Sequence, residues 1–283
     1  MKSLTEAAQA ALAPRYEIIE VIGQGGMTTV YSARDPERYV IVAVKVLHPV
    51  FSATIEGARF KREIEILRRL DHPGILPILD SGGTATFHYY VMPYASGGTL
   101  EQRIGMMEEP MPIANAWDIV RQVGEALDYA HDRGVIHRDI KPSNIIFDDH
   151  GSALLCDFGI ARSQSTEVDR LSSISAVMGT PDYMSPEQAA GVEELTTASD
   201  IYSLACVAHE MLVGESVFTG ATPQIVMNRH MRDRPQSLRV VRPEITEQME
   251  QALHRALAKS PATRPKTAEE LLRVAGVETA SSL

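Results

Sequence analysis

The chain has 283 residues, 44% of them hydrophobic, with 27 Lys+Arg against 37 Asp+Glu and a formal net charge of -10. That much apolar material excludes a disordered or collagenous chain, and the acidic balance argues against nucleic acid as a partner. There is no run of about 18 uncharged apolar residues, so no membrane contact is expected within this segment. Ala11-Leu12-Ala13 has the look of a signal cleavage site, but Thr5, Glu6 and Gln9 interrupt the apolar stretch that a secretory signal needs. Cys156 and Cys206 make neither a disulfide framework nor a zinc site, and fit a reducing, cytoplasmic compartment.

In chain order, residues 2–13 read as a helix able to pack on the small lobe that the next strands build. Strands are expected over 16–22, 29–34, 39–46, 75–81 and 88–92, all rich in Val, Ile and Tyr and separated by Gly, Pro and Asp. One helix, roughly 55–70, interrupts them. Ala95-Ser96-Gly97-Gly98 reads as a hinge, and helices dominate from about 99 onward. Ala116, Val120, Val123, Leu127 and Ala130 keep helical spacing, with Gly134 where a C′ glycine would end the helix. The run from Asp200 to Ala208 is apolar on most sides and predicts a buried central helix. Thr267 with Glu270 forms a capping-box pattern for the last helix. The fold class expected is α+β: a small β-rich lobe with one helix, then a larger α-helical lobe.

Three stretches carry chemistry. Gly23-Gln24-Gly25-Gly26-Met27-Thr28-Thr29-Val30 is a glycine-rich turn between two strands, where backbone N–H groups can approach a phosphate. No helix comes after it, which argues against Rossmann and P-loop readings. Val42-Ala43-Val44-Lys45-Val46 places a lysine inside a β-branched strand, and a buried lysine needs a partner. Glu63 sits on the apolar stripe of the predicted helix beside Phe60, Ile64 and Leu67, and pairing Lys45 with Glu63 satisfies both misfits. The most specific stretch is His137-Arg138-Asp139-Ile140-Lys141-Pro142-Ser143-Asn144, with Cys156-Asp157-Phe158-Gly159 downstream. It supplies a base, a cation and two oxygen ligands, a set that suits Mg²⁺ completed by waters and phosphates.

On these motifs the chain resembles the protein-kinase family, specifically bacterial eukaryotic-like Ser/Thr kinases, over about residues 16–274. Gly179-Thr180-Pro181-Asp182-Tyr183-Met184-Ser185-Pro186-Glu187, Ser199-Asp200-Ile201-Tyr202-Ser203 and Arg264-Pro265 extend the match. The resemblance implies a bilobal fold and ATP with Mg²⁺ (or Mn²⁺). It casts Asp139 as the base, Lys141 on the γ-phosphoryl group, and Asn144 and Asp157 as metal ligands. Lys45, fixed by Glu63, would grip the α- and β-phosphates under the loop Ile22–Val30. Val30, Ala43 and Ile146 would enclose adenine, with Met92 as gatekeeper and the Pro93 carbonyl and Ala95 N–H at its edge. Phe158, His137 and Leu67 resemble stacked spine residues. Lys141, two residues after Asp139, resembles Ser/Thr rather than Tyr kinases.

The same resemblance divides the chain into an extension (1–15), an N-lobe (16–94), a C-lobe (95–274) and a tail (275–283). It makes 163–175 an activation loop in which Ser172, Ser173 and Ser175 are the phosphorylation candidates, with Arg138 as the phosphate's partner. Protein substrates are implied, as is a homodimer for trans-autophosphorylation. The segment is expected to be cytoplasmic, either alone or as part of a longer membrane-anchored protein. Thr28 departs from the pattern, which has glycine there, and Ser185 and Ala205 are smaller departures. A nucleotide-binding pseudokinase scaffold and a small-molecule phosphotransferase are the alternatives. Every residue needed for transfer is present, and the intact segment through Glu187 argues against the second.

Overall fold

The computed structural model describes residues 4–13, 15–84, 87–158 and 181–277. Helix α1 (Leu4–Leu12) precedes strands β1 (Glu17–Gln24), β2 (Thr28–Asp35) and β3 (Val40–Leu47), then α2 (Ile55–Leu67), β4 (Asp80–Thr84) and β5 (Phe87–Pro93). These strands form one antiparallel sheet in the order β1-β2-β3-β5-β4. Next come α3 (Leu100–Gly105), α4 (Ile113–Asp132), and the short pair β6 (Ile145–Phe147) and β7 (Ala153–Leu155). Helices α5 (Pro186–Ala189), α6 (Thr197–Val213), α7 (Pro223–Arg232), α8 (Leu238–Val241), α9 (Glu247–Ala256) and α10 (Ala268–Ala275) complete the chain. The result is a bilobal α+β fold.

Side chains alternate across a strand, and β3 is buried on both sides. Val42, Val44 and Val46 face outward, packing with Tyr31, Ala33, Phe87, Val91 and with Ala8 and Leu12 of α1. Ala43 and Leu47 face inward, against Phe60 and Ile64 of α2 and Tyr90 and Met92 of β5. α1 is therefore part of the small lobe's outer layer. Gln9 ties it down: its Oε1 accepts from the Ile18 N–H at 2.8 Å and its Nε2 donates to the Tyr16 carbonyl at 3.3 Å.

The fourth strand lies at 80–84 rather than 75–81. Pro77 has no N–H to give a ladder, and the stretch before it goes instead to the large lobe, while the Leu79 N–H already donates to the Val91 carbonyl of β5 at 2.8 Å. Ile75 bridges Leu155, and the Leu76 N–H donates to the Leu155 carbonyl at 2.9 Å. The last helix also differs from its pattern. Thr267 caps the Glu270 N–H at 3.0 Å, but Glu270 bonds the Lys266 N–H, so the capping box is half made. Asp128 on α4 caps two further donors of the first turn, taking the N–H groups of Ala268 and Glu269 at 2.8 and 2.9 Å.

In the large lobe α6 is buried nearly all round, from Ser199 through His209, and Gly134 ends α4 at φ +72. The α5 helix is fixed to the base of the lobe by one buried ion pair. Arg264, whose side chain is 0% exposed, donates to both oxygens of Glu187 at 2.7 and 2.8 Å. It also reaches the carbonyls of Ala198 and Ala258, each at 2.8 Å. Burial pushes the Glu187 carboxyl up, but Arg264 and the Ser199 hydroxyl outweigh it and hold the group below its ordinary value. Arg264→Ala leaves that carboxylate without its cation. We expect a loss of about 3–5 kcal/mol in urea unfolding; a loss below about 1 kcal/mol would contradict this account.

Candidate active site

Two loops of the large lobe meet the inner face of the small-lobe sheet. The first loop, 137–144, is held by a carboxylate from the first turn of α6. Asp200, 1% exposed, accepts from the backbone N–H groups of His137 and Arg138 at 2.8 and 2.7 Å, and its Oδ2 lies 2.8 Å from His131 Nε2. Arg138 has φ +68, a left-handed conformation costly for a side chain of that size. Its N–H is gripped by Asp200 and its carbonyl accepts from Gln188 at 2.7 Å, so both of its peptide groups are pinned.

The imidazole of His137 is buried and burial holds its pKa below the ordinary value. Its Nδ1 faces the Asp139 N–H at 3.3 Å, so Nε2 carries the proton and donates to the Cys156 carbonyl at 3.0 Å. That bond joins the first loop to the second. The Cys156 N–H returns to the Asn144 carbonyl at 3.0 Å. Asp157 comes next, at φ +57, and Phe158 stacks on His137 with ring centroids 4.4 Å apart. Leu67 lies in the same apolar cluster as Phe158.

Within this frame the structure brings the candidate residues together in two linked groups. In the first, Asp139 Oδ2 is 2.9 Å from Lys141 Nζ and 3.1 Å from Asn144 Nδ2, and the same amide donates to the Asp139 carbonyl at 2.8 Å. In the second, Lys45 Nζ is 2.8 Å from Asp157 Oδ1 and 3.6 Å from Glu63 Oε1. Burial pulls Lys45 down, but the two carboxylates outweigh it and hold the ammonium well above the ordinary lysine value. Burial pushes Glu63 up from the carboxylate range, with Lys45 opposing. The Cys156 thiol, in the same environment, is also pushed up by burial.

Val30, Ala43, Met92 and Ile146 pack in one apolar cluster between the lobes, which Leu154 joins. Pro93 pairs with Val42 at the sheet's end. In the glycine turn the Gly25 N–H donates to the Thr28 carbonyl at 2.8 Å. None of Gly23, Gly25 and Gly26 has positive φ, so their contribution is the missing side chain. Thr28 is ordinary extended backbone opposite Leu47. Ile22 stays 42% exposed and Gln24 is exposed. Met27 packs against the same apolar cluster as Val30 and Ala43, and the Thr29 hydroxyl lies 2.9 Å from His48 Nε2. Ala95 is half-buried. Ser172, Ser173 and Ser175, with Gly159, lie outside the described residues.

Sequence reasoning gave no role to three members. Asp200 was visible as an acid in an apolar helix, and Gln188 had no signal. Tyr90 was a polar-tipped residue on the inward face of β5; its hydroxyl donates to Glu63 Oε1 at 3.1 Å.

For metal binding the donors are hard oxygens. Asn144 uses its Nδ2 on Asp139, which leaves its carbonyl oxygen as the ligating atom, and Asp157 gives Oδ1 to Lys45 and keeps a second oxygen. Among the described residues no group of three or more His, Cys, Asp or Glu could hold a metal by itself. This donor set therefore fits Mg²⁺, which keeps waters and takes phosphate oxygens.

Removing Lys45 leaves Glu63 buried with no cation. Glu63 then takes a proton at a pH above its unfolded value, so the folded state binds more protons and stability falls as pH rises. Lys45→Met should therefore cost about 3–5 kcal/mol at pH 8 and clearly less at pH 5, measured by urea unfolding. An equal loss at both values would show that Glu63 does not respond in this way.

A family model described as the protein kinase domain matches residues 16–275. The serine/threonine-protein kinase PknB of Mycolicibacterium smegmatis is 37% identical over 265 residues, covering 92% of this chain and 42% of that protein. A probable serine/threonine-protein kinase of Streptomyces coelicolor is 36% identical, covering 92% and 39%. One from Clostridium perfringens is 35% identical, covering 92% and 38%. The chain thus spans about two fifths of the length of the curated relatives it matches.

Proposed function

Since the chain belongs to the protein kinase family, we propose that it is an active Ser/Thr protein kinase domain, transferring the γ-phosphoryl group of ATP to protein hydroxyls with Mg²⁺ or Mn²⁺. One observation carries the reading. A single network of bonds joins the base candidate Asp139 to Asn144, Asn144 to Cys156, and the neighbouring Asp157 to Lys45.

Each residue then has a task set by its surroundings. Asp139 accepts or orients the substrate hydroxyl proton, and its carboxylate is kept in orientation by Lys141 and Asn144. Lys141 offsets the charge of the γ-phosphoryl group. Lys45, held cationic by two carboxylates, grips the α- and β-phosphates. The metal supplies charge neutralisation at the phosphate oxygens, and Asn144 with Asp157 would hold it. Backbone groups of the stretch Ile22–Val30 cover the phosphates. Val30, Ala43 and Ile146 enclose the adenine beside Met92, with Pro93 and Ala95 at its edge. Transfer of this kind rests on positioning and electrostatics, which is what a network of fixed charges provides.

Protein substrates, the N-lobe and C-lobe limits given above, and a homodimer that phosphorylates itself in trans belong to the same proposal. So does phosphorylation within 163–175, at Ser172, Ser173 or Ser175, with Arg138 as the phosphate's partner. Mass spectrometry after incubation with Mg·ATP tests activity and site together: added phosphate in that segment is expected, and an unmodified, inactive chain would sink the reading. Asp139→Asn should lose about 10²–10⁴ in rate and keep nucleotide binding, and a chelator should abolish activity in the wild type.

Thr28 bears on the scaffold alternative. With Thr28 in ordinary extended geometry, glycine there relieves no strain. Thr28→Gly should change the KM for ATP by less than about fivefold, or ~1 kcal/mol. A hundredfold gain in activity would mean that the natural loop is crippled.

A further inference from the structure

Tyr90 lies directly across from Lys45 in the β3–β5 pairing, so the two side chains leave the sheet on the same face. The phenol is 1% exposed. Its ring packs on Phe60 of α2 with centroids 5.4 Å apart, and Lys45 Nζ stands 5.6 Å from the ring centre. Phe60 is three residues before Glu63, so the ring touches α2 on the turn that carries the carboxylate. At the tip, the hydroxyl donates to Glu63 Oε1 at 3.1 Å.

The distances separate two kinds of contact. At 3.6 Å, Lys45 and Glu63 form an ion pair but not a hydrogen bond. The hydrogen bond of Lys45 goes to Asp157, at 2.8 Å. The lysine is thus drawn toward the large lobe while Glu63 remains inward, and the group that hydrogen-bonds Glu63 there is the Tyr90 hydroxyl. A buried phenol needs such a partner in turn. Burial pushes the phenol's pKa well up, so the hydroxyl keeps its proton and stays a donor.

We infer that Tyr90 is a positioning residue for phosphoryl transfer, holding the Glu63 carboxylate in place so that Lys45 has a fixed anchor whichever way its ammonium leans. This rests on the kinase reading above, and it acts through Glu63 without contact to the reacting atoms. Of the two carboxylates beside Lys45, Glu63 is the one carried by the small lobe along with the lysine, and its usefulness as an anchor depends on not having turned to solvent. Tyr90 contributes at both ends, through the ring on Phe60 and the hydroxyl on Glu63.

Tyr90→Phe separates the two contributions, since it keeps the ring and removes the hydroxyl. We expect kcat to fall about tenfold, the size of one hydrogen bond to a charged group, while the KM for ATP moves less than about threefold. The thermal midpoint should stay close to that of the wild type. The decisive comparison is a double-mutant cycle with Glu63→Gln. In the Glu63→Gln background, Tyr90→Phe should change kcat/KM by less than about twofold, because its target is already gone. Multiplying losses would overturn the inference, as would a Tyr90→Phe enzyme with wild-type kcat. A lowered melting temperature with unchanged kcat would reduce Tyr90 to a packing residue and also overturn it. The kinase reading fails separately, by an inactive wild type.

Discussion

A single buried carboxylate sets the geometry on which the rest of the site depends. Asp200 rises from the most enclosed helix of the large lobe and takes the backbone N–H groups of two consecutive residues, His137 and Arg138. Accepting two adjacent amides from one side bends the chain, and the bend is what puts Arg138 at φ +68. A left-handed arginine costs on the order of 1–3 kcal/mol and survives only where its surroundings over-determine it. Here Asp200 below and Gln188 above do so. The next residue is Asp139, so the orientation of the proposed base is inherited from a distant carboxylate that touches no substrate.

The same constraint spreads through His137. Its ring is neutral because it is buried, and its tautomer is fixed by the Asp139 amide. The remaining N–H then locks the Cys156 carbonyl, and Asp157 emerges in its own left-handed conformation. The two strained residues of the site are therefore not independent. Each adjoins a group held by His137 or by the carboxylate that holds His137. Lys45 closes the circuit from the other lobe, with Asp157 nearer than Glu63. The cleft side chains in this circuit set two cations, Lys45 and Lys141, against three carboxylates, Glu63, Asp157 and Asp139, an excess of negative charge that suits a cation.

Much of this was legible in the sequence, and for identifiable reasons. Lys45 and Glu63 stood out as charges at positions that strand and helix periodicity assign to the interior. Asp139, Asn144 and Asp157 stood out because charged loops interrupt apolar runs. What escaped depends on contacts between distant segments. Asp200 was seen as part of an apolar helix and of the matching stretch Ser199–Ser203, but nothing local says which backbone amides a buried acid will find. Tyr90 has the ordinary look of a strand residue, and its hydroxyl matters only because β5 lies beside β3 and under α2. The segment 75–79 looked like a strand because its residues are apolar. The Gly74 carbonyl and the Leu76 N–H on either side of Ile75 bond Leu155 of β7, in the other lobe, a choice that composition does not record. Conversely, the departure at Thr28 brings no backbone strain, because the residue starts β2 in ordinary extended geometry.

The outer layer of the small lobe bears on the site more directly than its distance implies. Strand β3 carries Val42, Val44 and Val46 on one face and Ala43, Lys45 and Leu47 on the other. A sheet with one open face would let such a strand slip by a residue at modest cost, because both sets are largely apolar. The register is pinned by what each face meets. A slip of one position exchanges the two faces: it would drive Lys45 into the apolar layer of Tyr31, Phe87, Ala8 and Leu12, away from both carboxylates. An ammonium buried there without a partner is among the most unfavourable placements a side chain can have. Helix α1, by covering that layer, turns a weak preference into a strict one. The helix at the start of the chain and the carboxylates at the cleft thus act on the same strand from opposite sides. Together they leave Lys45 one place to be.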